Sequence, residues 1–311
     1  MITILMAVYN GEKYLSQQIE SIISQTYSQW KLVICDDCST DSSYSIINKY
    51  HELYPDKIIA YRNEAPTGSA QANFMSMLKF SETEYTMFAD QDDVWLPDKI
   101  SLTLNKMKRI EQCEGNIPIL VHTDMAVVDS ELNQISTSFM KYCRYNPSKR
   151  DLNHLLVQNN ISGCTIMINK NLLEMVINIP ASHMLMHDWW LGLTAAAFGK
   201  IGYIDKPTSM YRQHTDNQLG AKQKDFKYYI EKIKVILRHN TGSDTITTLI
   251  QARKFLEQYN EQLSERNRKI VSAYSDFSNI NIFRRWCRLF KYKLWKQNLE
   301  GVLGQFFLIC D

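Results

Sequence analysis

Over its first 130 residues the chain alternates short apolar runs of strand length with segments whose apolar residues recur at helical spacing. That alternation restricts the fold to a layered α/β architecture. The strand candidates are residues 2–9 (ITILMAVY), 32–35 (LVIC), 57–62 (KIIAYR), 84–90 (EYTMFAD) and 119–129 (ILVHTDMAVVD). Between them, Leu15, Ile19, Ile22 and Ile23 carry a helical period, as do residues 43–54 (SYSIINKYHELY) and 69–80 (SAQANFMSMLKF). Another helix opens at Pro97, a residue suited to a first turn. Continuous apolar strands are buried on both faces, and strand–helix–strand repetition builds a mostly parallel sheet.

Beyond residue 130 the pattern is less regular, with a helix predicted over 183–199. The last ninety or so residues read as helical: 224–240, 245–263 and the segment after Asn281, with breaks at Thr241-Gly242-Ser243 and Ser275-Asp276. We place a domain boundary near residue 220, with a domain over 1–220 and a helical region over 221–311. A length of 311 residues, 45% of them apolar, suffices for a large core plus an appendage.

A formal charge of +2 is too small to mark a nucleic-acid binder, and no nucleic-acid partner is expected. The balance hides an asymmetry, since residues 281–300 carry six basic side chains and one acidic. In FRRWCRLFKYKLWKQNL, Phe283, Trp286, Cys287, Phe290 and Leu294 recur at helical spacing with Arg284, Arg288, Lys291 and Lys296 interleaved. Such a helix lies on an anionic membrane surface, or packs on protein or in an oligomer interface. The seven cysteines are scattered, and Cys35-x-x-Cys38 lacks the second ligand pair of a zinc site. A reduced, cytosolic setting is expected. Residues 2–9 have no basic leader and are too short for a signal peptide or a membrane span, as is GVLGQFFLIC (301–310). The expected place is cytoplasmic, peripheral on the inner face of the plasma membrane.

Ligands of open parallel sheets bind beyond the carboxyl ends of the strands. Two acidic clusters fall there: Asp36-Asp37 after LVIC, and Asp90-Gln91-Asp92-Asp93 after TMFA. Side by side they would repel one another unless something cationic sat between them. A D-x-D after a buried strand supplies hard oxygen ligands for magnesium or manganese, which bind carboxylates together with substrate phosphates. Ser39 and Asp41, in CSTDSS, also read as a helix start.

Residues 8–43 (VYNGEKYLSQQIESIISQTYSQWKLVICDDCSTDSS), 63–74 (NEAPTGSAQANF), 88–99 (FADQDDVWLPDK) and 187–190 (HDWW) resemble, in this order and spacing, a family 2 glycosyltransferase. The likeness covers about residues 1–215. Within the family it is most similar to bacterial rhamnosyltransferases of surface polysaccharide synthesis, through FADQDDVW, NNISGCTIMIN (159–169) and the pair HDWW and YRQH (211–214). The resemblance implies an α/β, GT-A nucleotide-diphospho-sugar transferase fold: a Rossmann-like, mostly parallel sheet flanked by helices, with a C-terminal helical extension.

It also implies roles. Tyr9 stacks on the nucleotide base, with Asn10 in the same donor site, and Asp37 accepts the base imide N–H while Asp36 shapes the pocket. Asn63, Gly68 and Asn73 line the donor pocket, Gly68 through close backbone approach. Asp90 lies near the ribose with Gln91 in the donor set, and Asp92 ligates a divalent cation, Mg or Mn. Asp93 is a third carboxylate without an assigned role. Inverting transfer needs a base for the acceptor hydroxyl, and Asp188 in HDWW is the candidate, with helix capping as the plainer alternative. His187, Trp189 and Trp190 join the acceptor site, and His187 stands where many relatives have an acidic residue. Arg212 pairs with phosphate oxygens and His214 ligates the metal, unless both are exposed loop residues. Ser162, Gly163 and Cys164 sit by the acceptor or donor sugar. A thiol nucleophile at Cys164 has no His or Asn partner in view.

The expected activity is metal-dependent inverting transfer of a sugar, L-rhamnose from dTDP-rhamnose, onto a lipid-linked or growing polysaccharide acceptor. A UDP-hexose or UDP-hexosamine transferase stays open, as does a silent nucleotide-sugar-binding scaffold, and so does a homo-oligomer. A sugar nucleotidyltransferase would carry a Gly/Arg/Lys-rich N-terminal loop, which AVYNGEKY does not match.

Overall fold

A computed structural model describes residues 1–214, 243–298, 301, 302 and 305. These fall into two compact units. One holds Met1–Phe139, Ile161–Ala181 and the chain from Gly199; the other holds Met140–Asn160, Ser182–Phe198 and the described residues after 242.

In the first unit β1 (Ile2–Val8), β2 (Trp30–Asp36), β3 (Ile58–Arg62) and β4 (Tyr85–Ala89) pair in parallel in the order β3-β2-β1-β4. Every residue of β1 is buried, as its unbroken apolar run requires. The intervening helices are α1 (Leu15–Ile23), α2 (Ser43–Leu53), α3 (Ala70–Met77) and α4 (Lys99–Glu114). α1 buries Leu15, Ile19 and Ile22, the stripe its spacing predicts. α3 starts where Ser69 Oγ accepts the Ala72 N–H at 3.1 Å. α4 stops at Gly115, whose φ of +78° lies in the left-handed region.

The sheet continues with β5 (Val94–Trp95), β6 (Ile119–Val128), β7 (Gln134–Ser136), β8 (Met167–Asn169) and β9 (Lys200–Arg212). The full order is β3-β2-β1-β4-β8-β6-β9-β5, with β7 beside β6. The sheet is parallel through its first four strands and mixed beyond, because β8 runs antiparallel to both β4 and β6. β5, β7, β8 and β9 are strands that the apolar runs do not announce. β8 is only three residues, and β9 carries Pro207, which sits opposite Asp124 where the pairing with β6 shifts register. A bulge is where a strand tolerates proline.

The chain passes to the second unit within α5 (Phe139–Tyr142). That unit contains α6 (Leu152–Val157) and α8 (His187–Phe198), while α7 (Lys170–Val176) belongs to the first. α9 (Ser243–Tyr259), α10 (Glu265–Ser275) and α11 (Ile282–Tyr292) complete it. α8 buries Trp190, Leu191, Leu193 and Ala195, and Trp190 packs against Phe255 and Tyr259 at ring distances of 5.3 and 6.2 Å. Burying one such side chain contributes roughly 1.5–3 kcal/mol, which is why two segments from the middle of the chain group with the C-terminal helices. The expected boundary near residue 220 and the helix over 224–240 lie outside the described residues, as does most of 301–310. Among the described residues no helix is long and apolar enough to cross a membrane.

Candidate active site

Parallel register sets Val8 opposite Asp36 and Met6 opposite Ala89, so the loops leaving β1, β2 and β4 converge at one edge of the sheet. Tyr9, first after β1, is 55% exposed, which leaves its ring open to a planar ligand. Gln91 holds the loop: Tyr9 N–H donates to Gln91 Oε1 at 2.8 Å, and Gln91 Nε2 donates to Tyr9 O at 3.0 Å. Gly11 makes room, since a Cβ there would meet Gln91 Oε1 at 2.6 Å. Gln91 thus positions Tyr9 through the backbone, where a ligand contact was expected. Asn10, at φ +49°, donates its N–H to Ser39 Oγ and accepts the Thr40 N–H, each at 2.9 Å, tying the β1 loop to the β2 loop.

Asp37 and Asp36 do different work. Asp37 Oδ1 accepts from Asn63 Nδ2 at 2.7 Å and from Thr67 N at 2.8 Å, and Oδ2 accepts from Thr67 Oγ1 at 2.8 Å. A carboxylate has about four lone-pair sites, so Asp37 retains capacity for one more N–H. Asp36 is fully buried, pairing with Arg62 Nε at 3.2 Å and accepting the Ser39 N–H at 3.1 Å, so it builds the wall. Asn73 is 1% exposed and bonds Cys35 O at 3.1 Å. It supports the pocket from behind through Asn63, a correction to its expected place in the lining. Gly68 has φ +85°, and a Cβ added there would meet nothing within 4 Å, so backbone conformation, not close approach, requires glycine. The thiols of Cys35 and Cys38 both bond to Asn63 and are free cysteines. Burial, then the Asp37 and Asp36 charges, push the Cys35 thiol up to about 11, away from thiolate chemistry.

Burial sorts the β4 carboxylates. Asp90 is half-buried, Asp92 keeps 15% of its side chain exposed, and Asp93 is fully buried. Burial and then the Asp92 charge raise Asp90 to about 7, and burial followed by the Asp92 and Asp90 charges raise Asp93 well above the carboxylate range. Asp93 Oδ1 accepts the Arg212 N–H at 3.2 Å, while Oδ2 is buried and the carboxylate lies beside the Cys164 thiol. The cation that such a cluster demands is Lys99, which by sequence is an ordinary first-turn lysine. It is fully buried, with Nζ donating to Thr208 Oγ1 at 3.2 Å and lying 4.9 Å from the Trp95 ring centre. Burial lowers it to about 8 against the pull of the neighbouring Asp93 and Asp90 carboxylates.

Arg212, expected on phosphate oxygens, is 2% exposed and otherwise engaged. Its guanidinium donates to Asp92 O at 2.8 Å, to Ser130 O and to Gln17 Oε1, and it lies 4.4 Å from the Tyr14 ring centre. It anchors the end of β9 and so places His214, whose Nε2 lies 2.9 Å from Asp92 Oδ2. Cys164 is also corrected: buried against Met125 Sδ at 3.5 Å and beside Asp90 and Asp93, it lies under the carboxylates and not on a sugar-facing surface. Ser162 and Gly163 are half-buried.

Asp90, Asp93 and Cys164 bring ligand atoms within 4.8 Å of one another. Burial first, then the Asp93 and Asp90 charges, raise the thiol so far that it stays neutral. A neutral thiol does not suit Mg or Mn. Asp92 and His214 fit better: an oxygen and a ring nitrogen converge, and their side chains keep 15% and 11% exposure through which an ion can enter.

In the second unit Asp188 sits in the first turn of α8, 7% exposed, with Oδ1 accepting from Asn159 Nδ2 at 3.2 Å. Trp189 is half-buried and donates its Nε1–H to Leu155 O. Trp190 is wholly in the core, so it packs the helices and does not face a sugar. His187 is 4% exposed, and burial lowers it to about 3, a neutral imidazole.

The pattern of glycosyl transferase family 2 matches residues 3–175, from within β1 to within α7. The chain is a family 2 glycosyltransferase. The glycosyltransferase is 31% identical to a dTDP-rhamnosyl transferase, RfbG, of Shigella flexneri over 70% of this chain and 74% of that one. It is 28% identical to the UDP-Glc:alpha-D-GlcNAc-diphosphoundecaprenol beta-1,3-glucosyltransferase WfgD of Escherichia coli, over 73% and 83%. Among solved structures it is similar to S. aureus TarS in complex with UDP (TM-score 0.53, 15% identity, 94% and 92% covered). It is also similar to the Pyrobaculum calidifontis mannosyltransferase PcManGT in complex with GDP-Man and Mn2+ (TM-score 0.51, 13% identity, 98% and 86% covered). These likenesses establish the GT-A fold of the glycosyltransferase.

Proposed function

We propose that this glycosyltransferase moves L-rhamnose from dTDP-rhamnose onto a lipid-linked or growing polysaccharide acceptor, with inversion and with a divalent cation. The observation that carries the donor site is the convergence of exposed Tyr9, the Asp37 carboxylate and the Asp92–His214 pair beyond adjacent strand ends. The rhamnosyl donor is supported by the Shigella flexneri relative, and the lipid-linked acceptor by the diphosphoundecaprenol in the Escherichia coli relative's name.

In this reading Tyr9 stacks on the base and Asp37 accepts its imide N–H. Asp92 and His214 would hold Mg or Mn, which when bound would supply charge stabilisation to a departing diphosphate. Lys99 supplies a buried positive charge beside Asp90 and Asp93. Asp188 takes the acceptor hydroxyl proton as the sugar carbon is attacked from the opposite face. Asn159 orients that carboxylate by donating to Oδ1. Ser162, Gly163 and Trp189 are the remaining candidates for sugar contact.

The UDP-Glc relative favours a second reading, a UDP-hexose or UDP-hexosamine donor in the same site. Titration calorimetry of dTDP, UDP and GDP with and without manganese separates them. Manganese-dependent preference for dTDP is expected. Preference for UDP moves the donor and keeps the mechanism, and no binding of any nucleotide revives a silent scaffold.

A further inference from the structure

α11 leaves three aromatic rings open to solvent. Leu289 is its one buried residue, whereas Phe283, Trp286 and Phe290 are 69%, 38% and 63% exposed. At about 100° per residue, these three rings and the exposed Cys287 share one stripe, with Arg284 and Lys291 along its edge and Leu289 on a different face. Leu294, which helical spacing groups with the stripe, is fully buried. The helix is already formed and fastened. Asn281 Oδ1 caps it by accepting the Arg284 N–H at 3.0 Å, and Asn153 Nδ2 bonds Lys293 O at 3.0 Å. Arg288 is committed inward, to Ala273 O at 3.0 Å and Asp276 Oδ2 at 3.1 Å. Arg284, Lys291 and Lys293 are exposed.

We propose that this face of α11 seats on an anionic phospholipid surface. Its three rings enter the boundary between headgroups and acyl chains, and Arg284, Lys291 and Lys293 lie against lipid phosphates. Charge selects this occupant. The helix carries four basic residues and no acidic one, so two copies face to face would bring like charges together. Aromatic rings edged by cations match a surface that is apolar below and anionic above. The inference stands apart from the donor-site reading, because vesicle binding is measured without substrate.

The test is co-sedimentation of the full chain with phosphatidylcholine vesicles, alone and with phosphatidylglycerol added. Binding to the anionic vesicles is expected, weakening as salt rises. Combined Phe283→Ser, Trp286→Ser and Phe290→Ser abolishes it, and Arg284→Glu with Lys291→Glu lowers it roughly tenfold or more. The charge pair is a second, exposed variant set that leaves the core untouched. No binding of the wild type to anionic vesicles overturns the proposal, and so does wild-type binding by both variant sets. A solution dimer that the serine variants convert to monomer, with vesicle binding unchanged, assigns the stripe to self-association and overturns it too.

Discussion

The side chain of Gln91 and the backbone of Tyr9 form a closed two-bond pair, N–H to Oε1 at 2.8 Å and Nε2–H to O at 3.0 Å. A residue just after β4 thereby sets the direction in which the first residue after β1 leaves the sheet. A glutamine within an acidic run reads as another ligand contact, yet here it acts through a neighbour.

Gln91→Ala removes both bonds at an exposed site, where each contributes about 0.5–1.5 kcal/mol. The expected outcome is nucleotide affinity lowered roughly three- to tenfold, with stability lowered by about 1 kcal/mol, the low end for bonds that water can replace, read by calorimetry and urea titration.

Arg212→Lys tests whether the guanidinium is a structural anchor. Its planar fork reaches Asp92 O, Ser130 O and Gln17 Oε1 at once, which an ammonium cannot do. Stability should fall by about 2–3 kcal/mol, because a buried cation loses its charged hydrogen bonds. A phosphate-binding arginine would instead lose donor affinity with stability intact.

Asp92→Asn, alone and with His214→Gln, should remove the manganese-dependent part of nucleotide binding while the thermal midpoint holds, because both side chains border solvent. Calorimetry with and without manganese reads this directly.

Asp188→Asn keeps a polar group of the same size in the first turn of α8. Sugar transfer should be abolished while dTDP affinity stays within about twofold. Equal loss of both would remove Asp188 from the role of base.

His187 is lowered by burial to about 3 in the folded chain, from an ordinary value near 6.5. The unfolded chain therefore takes up the proton first as pH falls. Its stabilising contribution is complete above pH of about 6.5 and declines by about 1.4 kcal/mol per unit toward pH of about 3. His187→Phe should flatten urea-derived stability against pH across that window.

Much of the parallel half of the sheet and its carboxyl edge was legible because the signals are local. The apolar run of β1 and the spacing of Leu15, Ile19 and Ile22 specify burial without knowledge of a partner. An acidic pair at the end of a buried strand likewise announces a ligand edge. The residues whose expected and observed places differ share another property. Asn73, Cys164, Trp190 and Arg212 carry chemistry suited to a binding surface, and only burial says that they do not reach one. Lys99 gives no signal for the converse reason, since a lysine in a helix's first turn is ordinarily solvated.

The sequence by itself determined the alternation of β1 to β4 with α1 to α4, the parallel half of the sheet and the carboxylates at its edge, because side-chain periodicity and turn chemistry act over a few residues. The tertiary structure alone decided which groups surround those carboxylates. The Arg212 N–H reaches Asp93 across 119 residues of chain, and Lys99 reaches Thr208 across 109. Such contacts exist only once β9 has been laid beside β6 and β5, where removal from water makes each buried charge require a partner.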